Sequence, residues 1–300
     1  MIYTVTLNPA IDYMAVVTDF KPGELNYADY GNMTFGGKGL NVSAVLSSFE
    51  VENIALGFCG GWTGDAIIKM AQEAGVKCDF IRLEGQNSRI NVKIKSGAET
   101  ELNGKGPTVS GVALNALYEK LSELKEGDIL VLSGSVPKGL SPTIYMDLMS
   151  RLPKGVKTVV DASGQALKNA LSMKPYLIKP NAQELGDMYG VKIEVKTDAI
   201  FYGRKLVDAG AENVLVSLGG GGAVLVTRDE AYEMNAPEGE VINSVGAGDS
   251  MVAGFLTAIV SGEGLLDALR LGICAGSATA FSETLATKDE ILRLLSAELR

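Results

Sequence analysis

Three hundred residues, 46% hydrophobic and 21% charged, suffice for one large α/β domain and are too apolar for a disordered chain. A net charge of −9 excludes a broad basic face for nucleic acid or an anionic membrane, and the absence of histidine excludes a Ser-His-Asp hydrolase. Cys59, Cys78 and Cys274 are too few and too scattered for a disulfide framework or a thiolate metal site, no apolar run reaches membrane-spanning length, and no basic leader precedes the first strand, so a cytoplasmic protein is expected.

Met1 to Leu7 is a β-branched run that turns at Asn8-Pro9. Asp12, just past it, is placed to accept from sugar hydroxyls, or is an ordinary solvated loop carboxylate. Residues 13–35 alternate irregularly, as a meandering β excursion would. Gly36-Gly37-Lys38-Gly39-Leu40-Asn41 then opens a helix whose Val42, Val45, Leu46 and Phe49 share one face. Glycines around a lysine at a helix N-terminus make an anion site. A Walker A loop is excluded because Gly39 stands where a magnesium-binding Ser or Thr belongs. After a strand (54–58) and a helix (63–74), strict alternation predicts strands at 89–95 and 99–103. Arg89, Asn91, Lys93 and Lys95 share one face there, suiting a lid over a phosphosugar or a plain solvent-facing hairpin.

From residue 110 the pattern becomes βα: helices at 112–124, 142–152 and 165–171, strands at 128–132, 157–161 and 177–179. Such alternation implies a mostly parallel sheet covered on both faces, with ligands at the carboxyl ends of its strands. Ser133 to Pro137 and Lys179-Pro180-Asn181 fall at those ends. Asn181 and Glu184, three residues apart, either present oxygens to magnesium's water shell or form a helix cap. A strand at 213–218, a turn at Gly219 to Gly222 and a return strand at 223–227 follow; the glycines allow close approach to a nucleotide or simply close a hairpin. Asn243-Ser244-Val245-Gly246-Ala247-Gly248-Asp249 opens the first of three final helices (247–260, 265–280, 288–299). Gly246, Ala247 and Gly248 are small enough to aim three N–H groups at an anion, with Asp249 beside them as a proton acceptor, or the stretch is an ordinary helix start with an Asp near its N-cap. That combination points to phosphoryl transfer to a hydroxyl, and the second anion site to an acceptor already phosphorylated. No G-x-G-x-x-G follows the first strand, which argues against a dinucleotide-dependent dehydrogenase. With no linker or repeat visible, one domain over residues 1–300 is expected.

Taken together, Gly36 to Asn41, Lys179-Pro180-Asn181 with Glu184, and Asn243 to Asp249 occur in an order and spacing that resembles the ribokinase-like (PfkB) sugar kinases over essentially the full length. The opening TVTLNPAIDY, GGKGLNVS, RINVKIK and Glu99 to Pro107 most resemble the 1-phosphofructokinase branch, with tagatose-6-phosphate kinases as neighbours. The resemblance implies an α/β, Rossmann-like, mostly parallel sheet flanked by helices, and a small β lid from about 10–35 and 86–105 that pairs across a homodimer. It implies ATP and Mg²⁺ acting with a sugar phosphate. Asp249 would be the base and Gly246, Ala247 and Gly248 the anion hole. Lys38 and Arg89 would hold the sugar's phosphate, and Asp12, Gly37, Asn41 and Asn91 its hydroxyls. Lys179, Asn181 and Glu184 would serve the ATP phosphates and magnesium, and Ser217, Gly219, Gly220 and Gly222 would line the nucleotide cleft. The same sites would serve tagatose 6-phosphate or fructose 6-phosphate as acceptor, or a silent sugar-phosphate sensor.

Overall fold

The computed structural model describes residues 1–298. Strand β1 (Ile2–Thr6) leads to β2 (Ala10–Val16) and β3 (Tyr30–Gly36), then α1 (Lys38–Ser48), β4 (Asn53–Gly60), α2 (Gly61–Glu73) and the short β5 (Ile81–Leu83). A hairpin, β6 (Arg89–Ser96) and β7 (Ala98–Asn103), precedes the alternating run. That run is α3 (Gly111–Ser122), β8 (Ile129–Ser133), α4 (Ile144–Met149), β9 (Lys157–Asp161), α5 (Gly164–Ala170), β10 (Leu177–Ile178), α6 (Ala182–Tyr189) and α7 (Lys196–Asp208). Strands β11 (Asn213–Ser217), β12 (Ala223–Thr227) and β13 (Ala231–Met234) follow, then α8 (Ala247–Val260), α9 (Leu265–Ala280) and α10 (Lys288–Glu298). Leu299, where the last helix was expected to end, lies outside the described residues.

Nine strands form one sheet in the order β13-β12-β11-β10-β9-β8-β1-β4-β5, parallel except at β11–β12 and β12–β13. Its strands carry apolar residues on both faces because each face meets its own helices. Leu130 and Leu132 of β8 pack with α3, α4, α5, α6 and α7 on one side. Ile129 and Val131 pack with α1, α8, α9 and α10 on the other. This is the mostly parallel, doubly covered α/β sheet the βα alternation predicts.

Several elements differ from expectation: β5, β13 and α7 arise where none is expected, and one helix is shorter. The helix anticipated at 142–152 is confined to Ile144–Met149. Helix α7, thirteen residues, carries no obvious apolar stripe, because its buried positions are Ala199, Gly203 and Leu206. Small residues serve there because a Cβ at Gly203 would already touch Val226 Cγ2 at 3.0 Å.

A second, four-stranded sheet, β3-β2-β6-β7, stands apart from the first. Register sets Asp12 beside Asn91 and Thr34, and Met14 beside Lys93 and Asn32, so one face is polar. Its other face sets Met33, Tyr13, Val92 and Leu102 abreast across all four strands. The usual polarity is inverted at its base. Asn91 is buried, whereas Ile90, on the apolar face, is 39% exposed.

Candidate active site

The carboxyl ends of β1, β8, β9 and β10 and the N-termini of α1 and α8 surround a cleft of about 550 Å³. Parallel strands all point their carboxyl ends to one edge, so residues far apart in the chain meet there. Four buried oxygens at this edge have no protein partner: Thr6 Oγ1, Asn8 Oδ1, Ser133 Oγ and Asp161 Oδ2. Buried polar atoms are normally satisfied, so their concentration here marks a place built for a polar ligand. A neighbouring cavity of about 370 Å³ under the small sheet shares Asp12, Asn41 and Val245 with it but is lined largely by apolar atoms and holds none of these orphans.

Helix α8 is entered through Gly246, whose φ of +81° is left-handed backbone that glycine adopts freely. No side chain caps it. Among the described residues the N–H groups of Gly246 and Gly248 have no backbone acceptor, but that of Ala247 donates to Ser244 O at 3.3 Å. The Asp249 N–H likewise has no backbone acceptor among the described residues, so the open donors of this turn are those of Gly246, Gly248 and Asp249. Asp249 occupies the third position of the helix and is 5% exposed. Its Oδ2 accepts from Asn41 Nδ2 at 2.8 Å, so α1 fixes the carboxylate's orientation.

A helix N-terminus would hold that carboxylate ionised, as its place in the sequence suggests. Burial works against this and pushes the Asp249 carboxyl up to about 7, and the negative charge of Asp161 adds to the effect. Lys38, Asn41 and Lys179 pull the other way without cancelling it. The result is a carboxyl poised near neutrality, where a general base is most effective.

Lys38 follows Gly37, whose φ of +133° brings α1 so close to β1 that a Cβ would lie 2.6 Å from Thr6 Cγ2. Its Nζ lies 3.0 Å from Asp161 Oδ1. Burial alone would lower the Lys38 pKa, but Asp161 and then Asp249 outweigh it and hold the ammonium firmly protonated. Lys179, 4% exposed, reaches the same oxygen at 3.4 Å. Burial would raise the Asp161 carboxyl, yet Lys179 and Lys38 bring it below the usual range.

Arg89 belongs to the other end of the cleft. Its Nε donates to Asn8 O at 3.0 Å and its Nη1 to Asn91 Oδ1 at 3.5 Å, while Asn91 Nδ2 donates to Asp12 Oδ1 at 2.7 Å. Burial lowers the Arg89 pKa and the Asp12 charge partly restores it. Lys38 and Arg89, paired on one phosphate in the sequence reading, are thus turned toward different acids: Asp161 and Asp249 for the first, Asp12 for the second.

Asn181 and Glu184 form a reciprocal cap at the start of α6: Glu184 N donates to Asn181 Oδ1 at 2.8 Å, and Asn181 N to Glu184 Oε2 at 2.9 Å. Both also line the cleft, and among the described residues Glu184 Oε1 takes no protein donor. Ser217 closes the same wall. Beyond it Gly219 and Gly220 face open space, while Gly222, with φ +86°, turns the chain into β12.

Asp161 escaped the sequence reading. It looks like the polar last residue of an apolar strand, and its lysine partner on α1 stands 123 residues earlier. The clue available was its position at a strand's carboxyl end, shared with Ser133 and Lys179.

The profile of the pfkB family carbohydrate kinases matches residues 5–291. A 1-phosphofructokinase of Bacillus subtilis is 48% identical over 98% of this chain and 97% of its own length. A D-tagatose-1-phosphate kinase of Bacillus licheniformis is 37% identical over 95% and 94%. Among solved structures, phosphofructokinase-2 of Escherichia coli in complex with fructose-6-phosphate superposes with a TM-score of 0.92 at 27% identity, over 100% of this chain and 99% of that one. Sheet order, cleft and full-length similarity agree, and the chain belongs to the PfkB family of carbohydrate kinases.

Proposed function

We propose that this enzyme transfers the γ-phosphoryl of ATP to the free primary hydroxyl of fructose 1-phosphate, giving the 1,6-bisphosphate and ADP. The observation that carries the reading is the Asp249 carboxyl, buried at an uncapped helix N-terminus and poised near neutrality opposite two lysines. The acceptor choice rests on the full-length similarity to the Bacillus subtilis 1-phosphofructokinase.

Asn41 occupies Asp249 Oδ2, so Oδ1 accepts the hydroxyl proton as the new P–O bond forms and the bond to the β-phosphate oxygen breaks. In a loose transition state the proton leaves late, and a carboxylate of modest basicity suffices. Charge on the moving phosphoryl is met by the N–H groups of Gly246 and Gly248, with Ala247 shaping the turn, and by Lys38 and Lys179. One such preorganised donor is typically worth roughly 3–4 kcal/mol. Arg89 takes the phosphate the sugar already carries. Asp12, Gly37, Asn41 and Asn91 orient its hydroxyls.

The ATP phosphates would lie along Lys179 and Asn181, with Ser217, Gly219, Gly220 and Gly222 leading to the base. The open glycines of this wall leave room for a large ligand. Glu184, whose Oε2 is taken by the cap and whose Oε1 takes no protein donor among the described residues, would help to hold Mg²⁺, which would supply charge neutralisation to the phosphates. Among the described residues no three acidic, His or Cys side chains gather, so such a metal depends on the nucleotide for most of its ligands. No helix of the described residues is long and apolar enough to cross a membrane, and we place the enzyme in the cytoplasm.

The small sheet acts as a lid in this reading, its polar face turned to the substrate. Its apolar face leaves Met33 62% and Leu102 71% exposed, which suits a homodimer formed lid to lid. Light scattering is expected to give twice the chain mass for the native enzyme and the monomer mass for Met33→Lys/Leu102→Lys. A native monomer would remove the dimer.

The acceptor assignment is tested by ADP release with fructose 1-phosphate, fructose 6-phosphate, tagatose 1-phosphate and tagatose 6-phosphate side by side. Preference for fructose 1-phosphate is expected. Preference for another ketose phosphate would move the substrate and leave the chemistry.

A further inference from the structure

Asp161 has no exposure at all. Burying an ionised carboxylate is strongly unfavourable unless cations and donors compensate it. Here two cations arrive on one oxygen from separate elements, Lys38 from α1 and Lys179 from the end of β10. An ion pair built only to join neighbouring elements would satisfy both carboxylate oxygens and bury both cations. Instead Asp161 Oδ2 takes no protein donor, and the Lys38 side chain is 38% exposed and lines the cleft.

Lys179 is aimed the same way. A Cβ at Gly248 would lie 2.9 Å from its Nζ, so the ammonium rests against the first turn of α8, next to Asp249. The register of the main sheet adds a further sign. Thr6, Ser133 and Asp161 end β1, β8 and β9 abreast, and each leaves one oxygen unsatisfied at the carboxyl edge of the sheet, where Thr6 and Ser133 line the cleft. A site shaped for stability alone would not align three such orphans.

We infer that Asp161 is a positioning residue for phosphoryl transfer, clamping the ammonium groups of Lys38 and Lys179 side by side against the N-terminal turn of α8. The inference rests on the kinase reading above. Two ammonium groups within 3.4 Å of one oxygen repel each other strongly once that oxygen is neutral. The clamp therefore delivers two positive charges together to the point where the γ-phosphoryl passes. Asp161 also bears on the base. The groups facing Asp249 are Asn41 and Lys38 from α1, Asp161 from β9 and Lys179 from the end of β10. Removing the Asp161 charge leaves the two cations to favour the ionised base, so the acidic limb of activity moves to lower pH.

The test is Asp161→Asn in the full chain. Loss of about 10² in kcat is expected, the scale of one preorganised charge-stabilising group. The KM for the sugar phosphate should stay within about threefold, since the interaction serves the transition state, and the acidic limb of kcat/KM should shift to lower pH. In a Lys38→Ala background the same substitution should cost far less, because the two residues act as one unit. A purely structural residue would lower activity equally at every pH and multiply independently of Lys38. An unmoved limb, additive losses or a kcat within threefold of wild type would overturn the inference.

Should Asp161→Asn fail to fold, the unmutated protein still decides. The clamp predicts that acylation of Lys38, followed by mass spectrometry, reaches half its maximum above the ordinary lysine value of about 10.4. A midpoint at or below that value overturns it. An unmutated enzyme that transfers phosphate to no acceptor removes the kinase reading itself, whereas an active one indifferent to Asp161→Asn removes only the clamp.

Discussion

Asp249→Asn is expected to lower kcat by about 10²–10⁴, the span usual for loss of a general base, with the KM for ATP little changed. The substitution keeps the shape of the side chain and its place beside Asn41, so the loss isolates proton acceptance. In the native enzyme kcat/KM for the sugar phosphate should rise through an apparent pKa near 7 as Asp249 ionises. Stability carries the opposite sign. The folded carboxyl titrates at about 7, the unfolded one at about 3.9. Between those values the folded state holds a proton the unfolded chain has lost, so this group's contribution falls as pH rises from about 4 to about 7. Asp249→Asn escapes that fall. Its melting temperature relative to wild type should therefore be higher at pH 8 than at pH 5. A mutant within tenfold of wild-type kcat would remove Asp249 from the role of base, and a pH-independent difference in melting temperature would contradict its burial as a neutral acid.

Arg89→Ala should raise the KM for the sugar phosphate by roughly 10–100-fold, since hydrogen bonds to charged groups are worth about 1.5–3 kcal/mol. The guanidinium is held by Asn8 O and Asn91 Oδ1 near Asp12, away from the Asp161–Asp249 end. The KM for ATP should stay within about threefold, as expected of an interaction made only with the acceptor. Lys38→Ala should behave differently, lowering kcat as well, because its ammonium sits between Asp161 and Asp249. Steady-state kinetics with both substrates varied separates the two. Equal losses for ATP and sugar phosphate in Arg89→Ala would contradict a dedicated site for the sugar's phosphate.

Much of this site could be read in the sequence because its parts are local. Gly36 to Asn41, Lys179 to Glu184 and Asn243 to Asp249 each combine a turn and a helix start within a few residues, and a parallel sheet sends all three to one edge. What could not be read depends on distance in the chain or on burial. Asp161 acquires meaning only through Lys38 and Lys179, which the fold brings to one of its oxygens. The ionisation of Asp249 follows from burial and from Asp161, and the helix terminus alone suggests the reverse. Alternation in β6 separates a polar from an apolar face but does not say which one meets the protein; pairing with β2 turns the polar face inward. Helix α7 hides because two of its three buried positions are alanine and glycine, with Leu206 the only large one.

The central claim is that a phosphoryl group moves from ATP to a hydroxyl of a sugar that already carries one. Phosphorus NMR of a mixture of enzyme, ATP, Mg²⁺ and fructose 1-phosphate tests it most directly. The account predicts ADP in step with a second phosphate ester on the same sugar, coupled to its C6 protons. ADP with inorganic phosphate and no new ester, or ATP left intact, would contradict it.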